Sequence, residues 1–233
     1  MHKQWQIGLK ASVPILLGYI PIGLAFGILA AQQGLSVMDI LVMSLFVYAG
    51  SAQFIAAAMM SSGTDAVSIV MTTFFVNLRH LLMSASLSPH LKKISTRLQA
   101  VFAFGITDET FAVSGNYLQS HEATPGYFAG LHFASHTCWI LSTVLGGIFG
   151  AQLTQATKWG LDFALSGMFI GLLLMQMKKA RDLLVAVCAG ALSLLAALTL
   201  KGNWNVIIAA VVAATVGMVA ERWNKKQSLS SLE

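Results

Sequence analysis

Two short stretches put ionisable side chains where the surrounding residues are apolar. TTFFVNLRHLLMSASL, residues 72–87, holds Asn77, Arg79 and His80, and GITDETFAVSGN, residues 105–116, holds Asp108 and Glu109. On a helix, Thr73, Asn77, His80 and Ser84 recur at i, i+4, i+7 and i+11, which is one stripe, with Arg79 and Ser86 on a neighbouring face. A guanidinium and carboxyl groups in apolar surroundings support two kinds of chemistry: ion pairing and proton exchange. Pairing Arg79 with Asp108 or Glu109 would reduce the burial cost of both, whereas an unpaired buried carboxyl is pushed toward its neutral form. A carboxyl that switches charge is what a proton-coupled carrier needs. Other readings of Arg79 are a structural ion pair between two helices, or a short helix whose arginine reaches the headgroups. The other reading of 105–116 is an interfacial segment with both acids solvated.

Further polar features stand nearby. AGSAQF, residues 49–54, packs Gly50, Ser51 and Gln53 into an otherwise apolar run. Pro14 and Pro21 interrupt the stretch that leads into Gly23, and proline removes a helix hydrogen bond. Interrupted helices expose backbone N–H and C=O groups that can hold a substrate's carboxylate and ammonium. The expectation is unwound backbone at Pro21–Gly23 and at Gly50–Gln53, with Ser51, Asn77 and His80 beside it. A close helix crossing explains the small residues of AGSAQF equally well. His132 and His136 sit at i and i+4 with Cys138 nearby, but no third ligand and no glutamate between them completes a zinc motif. No nucleophile–base set has recognisable spacing, and no GxxxxGK[ST] phosphate loop occurs. The expectation is therefore no enzyme, no cofactor and no metal, with any work driven by a gradient.

These residues need elements to hold them, and composition says which. Of 233 residues, 56% are hydrophobic and 10% charged, against about 25% charged in soluble domains. Long runs lack charge, such as 11–31 and 40–64. A helix crosses a bilayer with about 20 apolar residues, and the runs do not alternate as barrel strands do. The fold class expected is all-α: a polytopic membrane helix bundle of six to eight transmembrane or re-entrant segments. Helices are expected near 11–31, 38–60, 66–88, 97–117, 126–150, 160–177, 183–200 and 203–221, as one domain over 1–221 followed by a short polar cytoplasmic tail at 222–233. Asp39, Asp65 and Asp182 precede apolar runs and are expected to cap helices. The first run reads as a retained span rather than a cleaved leader. Both cysteines, Cys138 and Cys188, lie in apolar runs, so no disulfide framework is indicated. The net charge of +5 gathers in clusters beside the spans and is no nucleic-acid signal. If every segment crosses, Lys92, Lys93 and Arg97 fall outside, against the positive-inside rule. A broken or re-entrant early segment, or a non-crossing 97–117, removes the conflict.

GLAFG at 23–27 and GGIFG at 146–150 echo one another, as do the linkers and apolar runs that follow. Duplicated halves of about 11–117 and 126–221 are one reading; chance among low-diversity helices is the other. Glycines four apart, including Gly23 and Gly27, and Gly146 and Gly150, let helices approach closely. Packing within one chain is favoured over a homo-oligomer interface.

PILLGYIPIGLAFG, AGSAQF, NLRHLL followed by SLSP, and TDETFA, in that order, resemble the AzlC family. The resemblance implies a secondary transporter exporting valine, leucine, isoleucine or related neutral amino acids such as methionine, working with a small AzlD-type membrane subunit in a bacterial cytoplasmic membrane. The family pattern falls on Pro21, Gly23, Gly50, Gln53, Asn77, Arg79, His80, Asp108 and Glu109. Met83 stands where the pattern leads one to expect an aromatic residue, and His132 and His136 lie outside it. The mechanism expected is proton antiport, with Arg79 and Asp108 or Glu109 as the charge-switching pair. A passive channel and a structural subunit of a transport complex are the alternatives.

Overall fold

A computed structural model describes residues 2–152, 170, 174, 177, 180–199, 212 and 215. Every regular element among them is helical: α1 (His2–Gln32), α2 (Val37–Phe46), α3 (Gly50–Ser61), α4 (Ala66–Leu87, continued by a 3-10 turn, Ser88–Leu91), α5 (Thr96–Phe104), α6 (Asp108–Leu118), α7 (Pro125–Gln152) and α8 (Ala180–Thr199). The chain divides into two compact units, Met1–Leu165 and Ser166–Glu233. The second contributes α8 to the described residues, where a helix over 183–200 is expected. Most of the segments expected at 160–177 and 203–221, with the linker and apolar run that follow GGIFG in the sequence echo, lies outside the described residues.

In the first unit, α1, α4 and α7 are long and apolar enough to cross a membrane. The expected break at Pro14 and Pro21 is absent, because α1 runs through both prolines. A membrane-spanning helix tolerates proline when its neighbours re-satisfy the freed backbone. The other two long apolar segments are the broken ones. The expected helix 38–60 divides at Val47–Ala49, and 97–117 divides at Gly105–Thr107. The resulting pieces have 9 to 12 residues, about 14–18 Å each, half of a roughly 30 Å hydrocarbon core.

Helices α1 and α7 lie side by side and parallel. A Cβ on Gly130 would strike the Trp5 carbonyl, one on Gly23 the Ser142 side chain, one on Gly146 the Leu24 backbone and one on Gly150 the Ile28 backbone. The paired numbers rise together, which fixes the direction. The two echoed motifs thus meet each other. In lipid there is little hydrophobic force between helices, so backbone contact of this kind supplies the attraction.

The short helices turn back. Val37 and Ile40 of α2 pack at Gly147, whereas Ser44 bonds Thr143 and its carbonyl accepts from His136. Helix α2 therefore runs against α7. Beyond the break, Gln53 Nε2 donates to Ser44 Oγ at 3.1 Å across nine residues, which a straight helix would hold about 13 Å apart. Helix α4 returns past α3, Arg79 meeting Ser51, and Lys93 then pairs with Glu122 just before α7. So α4 ends where α7 begins. The second pair reverses likewise. Phe102 of α5 and Tyr117 of α6 stack on the consecutive α7 residues Phe128 and Tyr127, while the start of α6 reaches Tyr19 and its end reaches Gln4.

Among its described residues the first unit thus has three helices that span the membrane by length and composition and two re-entrant helical hairpins, α2/α3 and α5/α6, entering from opposite faces. Lys3, Lys92, Lys93 and Arg97 mark the face where α1, α5 and α7 begin; Asp39 and Asp65 mark the other. Re-entry removes the charge conflict posed by eight crossings. Caps fit this frame. Asp65 caps α4 by accepting from Ser68 N at 2.9 Å. For α2 the cap is Ser36 rather than Asp39, which completes a capping box by accepting from Ser36 N. Asp182 lies within the first turn of α8 rather than ahead of it.

Candidate functional site

The two hairpin tips meet, the Tyr48 and Phe104 rings lying 6.2 Å apart, and α4 touches both through Arg79. At the first tip Tyr48 has φ 44, a left-handed conformation costing on the order of 1–3 kcal/mol for such a residue. It is held there while almost wholly buried. Helix α3 starts at Gly50, where a Cβ would press on the Trp139 ring, and its cap residue Ala49 offers no side-chain hydrogen bond. The positive end of α3 is therefore uncapped by any side chain. At the second tip Thr107 caps α6: its N–H donates to Thr110 Oγ1 at 2.8 Å and its Oγ1 accepts from Thr110 N. Asp108 and Glu109 occupy the first turn of α6, where their charge complements the helix dipole.

Arg79 joins the tips. Its Nη1 meets Asp108 Oδ2 at 2.6 Å and its Nη2 donates to Ser51 Oγ at 2.5 Å, while Nε is enclosed without a partner. The Arg79 and Asp108 side chains are 34% and 33% exposed, so the pair is reachable rather than sealed. Beside it, Tyr19 Oη donates to Glu109 Oε2 at 3.0 Å and shares a 2.7 Å hydrogen bond with Thr107 Oγ1. His80, half-buried, lies within electrostatic reach of both Arg79 and Glu109. The carbonyl oxygen of Asn77 is enclosed without a partner.

The tips are braced from behind. Gln53 is fully buried and engaged at both ends, donating to Ser44 Oγ and accepting from Trp139 Nε1 at 2.9 Å. Trp139 in turn meets the Tyr19 ring edge-on at 5.1 Å. His136 reaches the Ser44 carbonyl at 3.1 Å, whereas His132 lies against Gly105. The two histidines thus serve different tips, and no group of three His, Cys, Asp or Glu comes together among the described residues.

Of the residues expected to form the site, Gly50, Ser51, Arg79, Asp108 and Glu109 converge, with His80 and Asn77 adjoining on α4. Pro21 and Gly23 do not join them. Pro21 is exposed on a continuous helix and Gly23 packs on Ser142 in the α1–α7 seam. Gln53 sits behind the tip as a brace. Tyr19, Thr107 and Trp139 were not foreseen. The run Thr107-Asp108-Glu109 carried a legible signal, since a threonine followed by acids is a helix start. Tyr19 carried none, being one aromatic among apolar neighbours.

The arrangement sets donors and acceptors a few ångströms apart. A fork-shaped guanidinium and the free N–H groups of α3 suit a carboxylate. The Asp108 and Glu109 carboxylates, with the Tyr19 hydroxyl, suit an ammonium group. Together they complement a zwitterion.

The family model described as AzlC protein matches residues 14–153. Inner membrane protein YgaZ of Escherichia coli K12 is 32% identical over 211 residues, covering 88% of this chain and 85% of its own length. An uncharacterized membrane protein of Archaeoglobus fulgidus is 34% identical over 189 residues, covering 80% of this chain and 82% of its own. Branched-chain amino acid transport protein AzlC of Bacillus subtilis is 29% identical over 203 residues, covering 87% and 79%. No solved structure matches the chain.

Proposed function

This chain belongs to the AzlC family, and from that premise we propose that it moves branched-chain or related neutral amino acids out of the cytoplasm in exchange for protons. The relative named for branched-chain amino acid transport supports the substrate class. The observation that carries the reading is the single arginine bonded to both hairpin tips, with acids on one side and a bare helix N-terminus on the other.

In this reading the substrate carboxylate takes the Arg79 fork and the N–H groups at Gly50 and Ser51. The ammonium takes Glu109 and Asp108. To bind, the substrate draws Arg79 and Asp108 apart onto its own two charges, whereas a proton taken by Asp108 or Glu109 removes the negative charge that holds the ammonium. Proton and amino acid then occupy the centre in alternation, which is antiport. The basic face, with Lys3, Lys92, Lys93 and Arg97, is cytoplasmic in a bacterial inner membrane by the positive-inside rule. A small AzlD-type membrane subunit completes the complex.

The test is proteoliposomes loaded with labelled leucine under an imposed proton gradient, with and without that subunit. Saturable movement driven by the gradient is expected. Movement indifferent to the gradient would make the protein a channel, and none of any aliphatic amino acid by a folded complex would remove the substrate assignment.

A further inference from the structure

Behind the second tip lies a run of buried polar groups that the substrate site does not use. His132 is 8% exposed, with both ring nitrogens lacking a hydrogen-bond partner. Ser135 Oγ, one turn along α7, and Tyr127 Oη, toward its start, are also buried without partners. From α6 so is Ser114 Oγ, which sits one turn from Thr110 and one from Tyr117. The Tyr117 and Tyr127 rings stack at 3.7 Å, which closes α6 onto α7 at the end where α7 begins. A buried polar group without a partner costs about 1–3 kcal/mol. Three of these groups lie on α7 and one on α6, which packs on α7 through the Tyr117–Tyr127 stack, and water satisfies buried polar groups of this kind.

The seam meets a chain of hydroxyls. Glu109 accepts from Tyr19, Tyr19 shares a hydrogen bond with Thr107, and Thr107 Oγ1 lies 3.4 Å from Thr110 Oγ1. Thr110 donates to the Gly105 carbonyl at 2.9 Å. Gly105 is where this chain touches the histidine: a Cβ there would overlap His132 Nδ1. Gly105 has φ −82, which any residue adopts, so glycine stands there to admit the imidazole.

We propose that His132 carries protons between the α1–α7 entrance face and Glu109, through a hydrated seam between α6 and α7 and the hydroxyl chain Thr110–Thr107–Tyr19. This rests on the antiport reading above and gives its proton a path separate from the amino acid's. An excess proton relayed inward through water in the seam adds to the unprotonated nitrogen of the neutral imidazole. The imidazolium gives up one N–H proton to a bridging water, each hydroxyl accepts one proton as it releases another, and Glu109 ends protonated with His132 neutral. The titratable groups along the path are Tyr127 and His136 on the same helix as His132, Tyr117 of α6, which stacks on Tyr127, and Tyr19 and Glu109 at the far end of the hydroxyl chain. From α5 His132 meets the Phe102 ring.

Two measurements test this. Histidine C2-proton exchange, read by mass spectrometry on the full chain in lipid nanodiscs, reports water access without any transport. His132 is expected to exchange measurably, more slowly than the exposed His90 and His121; no exchange would overturn the proposal. In proteoliposomes, His132→Gln is expected to lower gradient-driven leucine movement about tenfold or more, while leucine–leucine exchange, which moves no net proton, is largely kept. Equal loss of both modes, or loss of neither, would overturn it. Wild-type protein that exchanges at His132 yet moves no amino acid would remove the transport reading and leave the hydrated seam standing.

Discussion

Arg79 does two jobs with one planar group, and that decides how its variants behave. Its fork reaches Asp108 with one nitrogen and Ser51 with the other. A lysine keeps the charge but not the fork. Losing one charge-assisted hydrogen bond removes about 1.5–3 kcal/mol, so Arg79→Lys is expected to slow leucine transport by roughly tenfold to a hundredfold at normal membrane levels. Arg79→Ala should abolish it. Normal transport by either variant would take the arginine out of the mechanism. Asp108→Asn is expected to flatten the pH dependence of transport; an unaltered profile would move the proton to Glu109 alone. That the arginine would pair with one of the two acids was legible, since each is costly in lipid and the other is its nearest remedy. The choice of Asp108 over Glu109 was not legible, because it follows from which first-turn residue of α6 faces α4, a matter of tertiary register. Tyr19 escaped for the same reason: its role comes from Thr107 and Glu109, which are 88 and 90 residues away.

Among the elements, the breaks carry the architecture and the glycines carry the packing. The unwound backbone expected at Gly50–Gln53 is instead the first turn of α3; the break lies just before it, at Val47–Ala49, where Tyr48 turns left-handed. The interruption expected at Pro21 was not found. Proline is a weak predictor in a membrane helix because lipid leaves the backbone no better option than to stay helical. Helix α7 and α1 depend on backbone contact, so Gly146→Leu is expected to reduce the yield of folded protein sharply, whereas Gly115→Leu, with nothing within 4 Å of its Cβ position, should be tolerated. Helix α4 depends on its cap at the polar edge. Ser68 hydroxyl and N–H bonds hold the Asp65 carboxyl below its ordinary value of 3.8. A depressed carboxyl contributes stability that is complete above its unfolded value and is lost as pH falls through the folded one. Asp65→Ala should therefore lower the melting midpoint between pH 5 and pH 7, and the difference from wild type should narrow below about pH 4.

At the scale of the whole first unit, reversal of both hairpins makes a topological prediction. A cysteine at Ser95 should react with a membrane-impermeant maleimide only from the cytoplasm, and one at Ser62 only from outside. Straight passage of α2–α3 and α5–α6 would exchange the two results. The sequence held the charge conflict that pointed this way, but not its solution, because re-entry depends on contacts such as Gln53 with Ser44. The shared arginine has a kinetic meaning as well. Each hairpin is tethered to the same cation, so lifting one still leaves that cation held by the other. Lifting both removes two hydrogen bonds to a charged group instead of one, a further cost of about 1.5–3 kcal/mol, which makes the doubly open state rarer by roughly a further tenfold to hundredfold. The protein thereby carries its own interlock: a membrane that must keep its voltage is protected from a continuous leak by one side chain that cannot be abandoned from both sides at once.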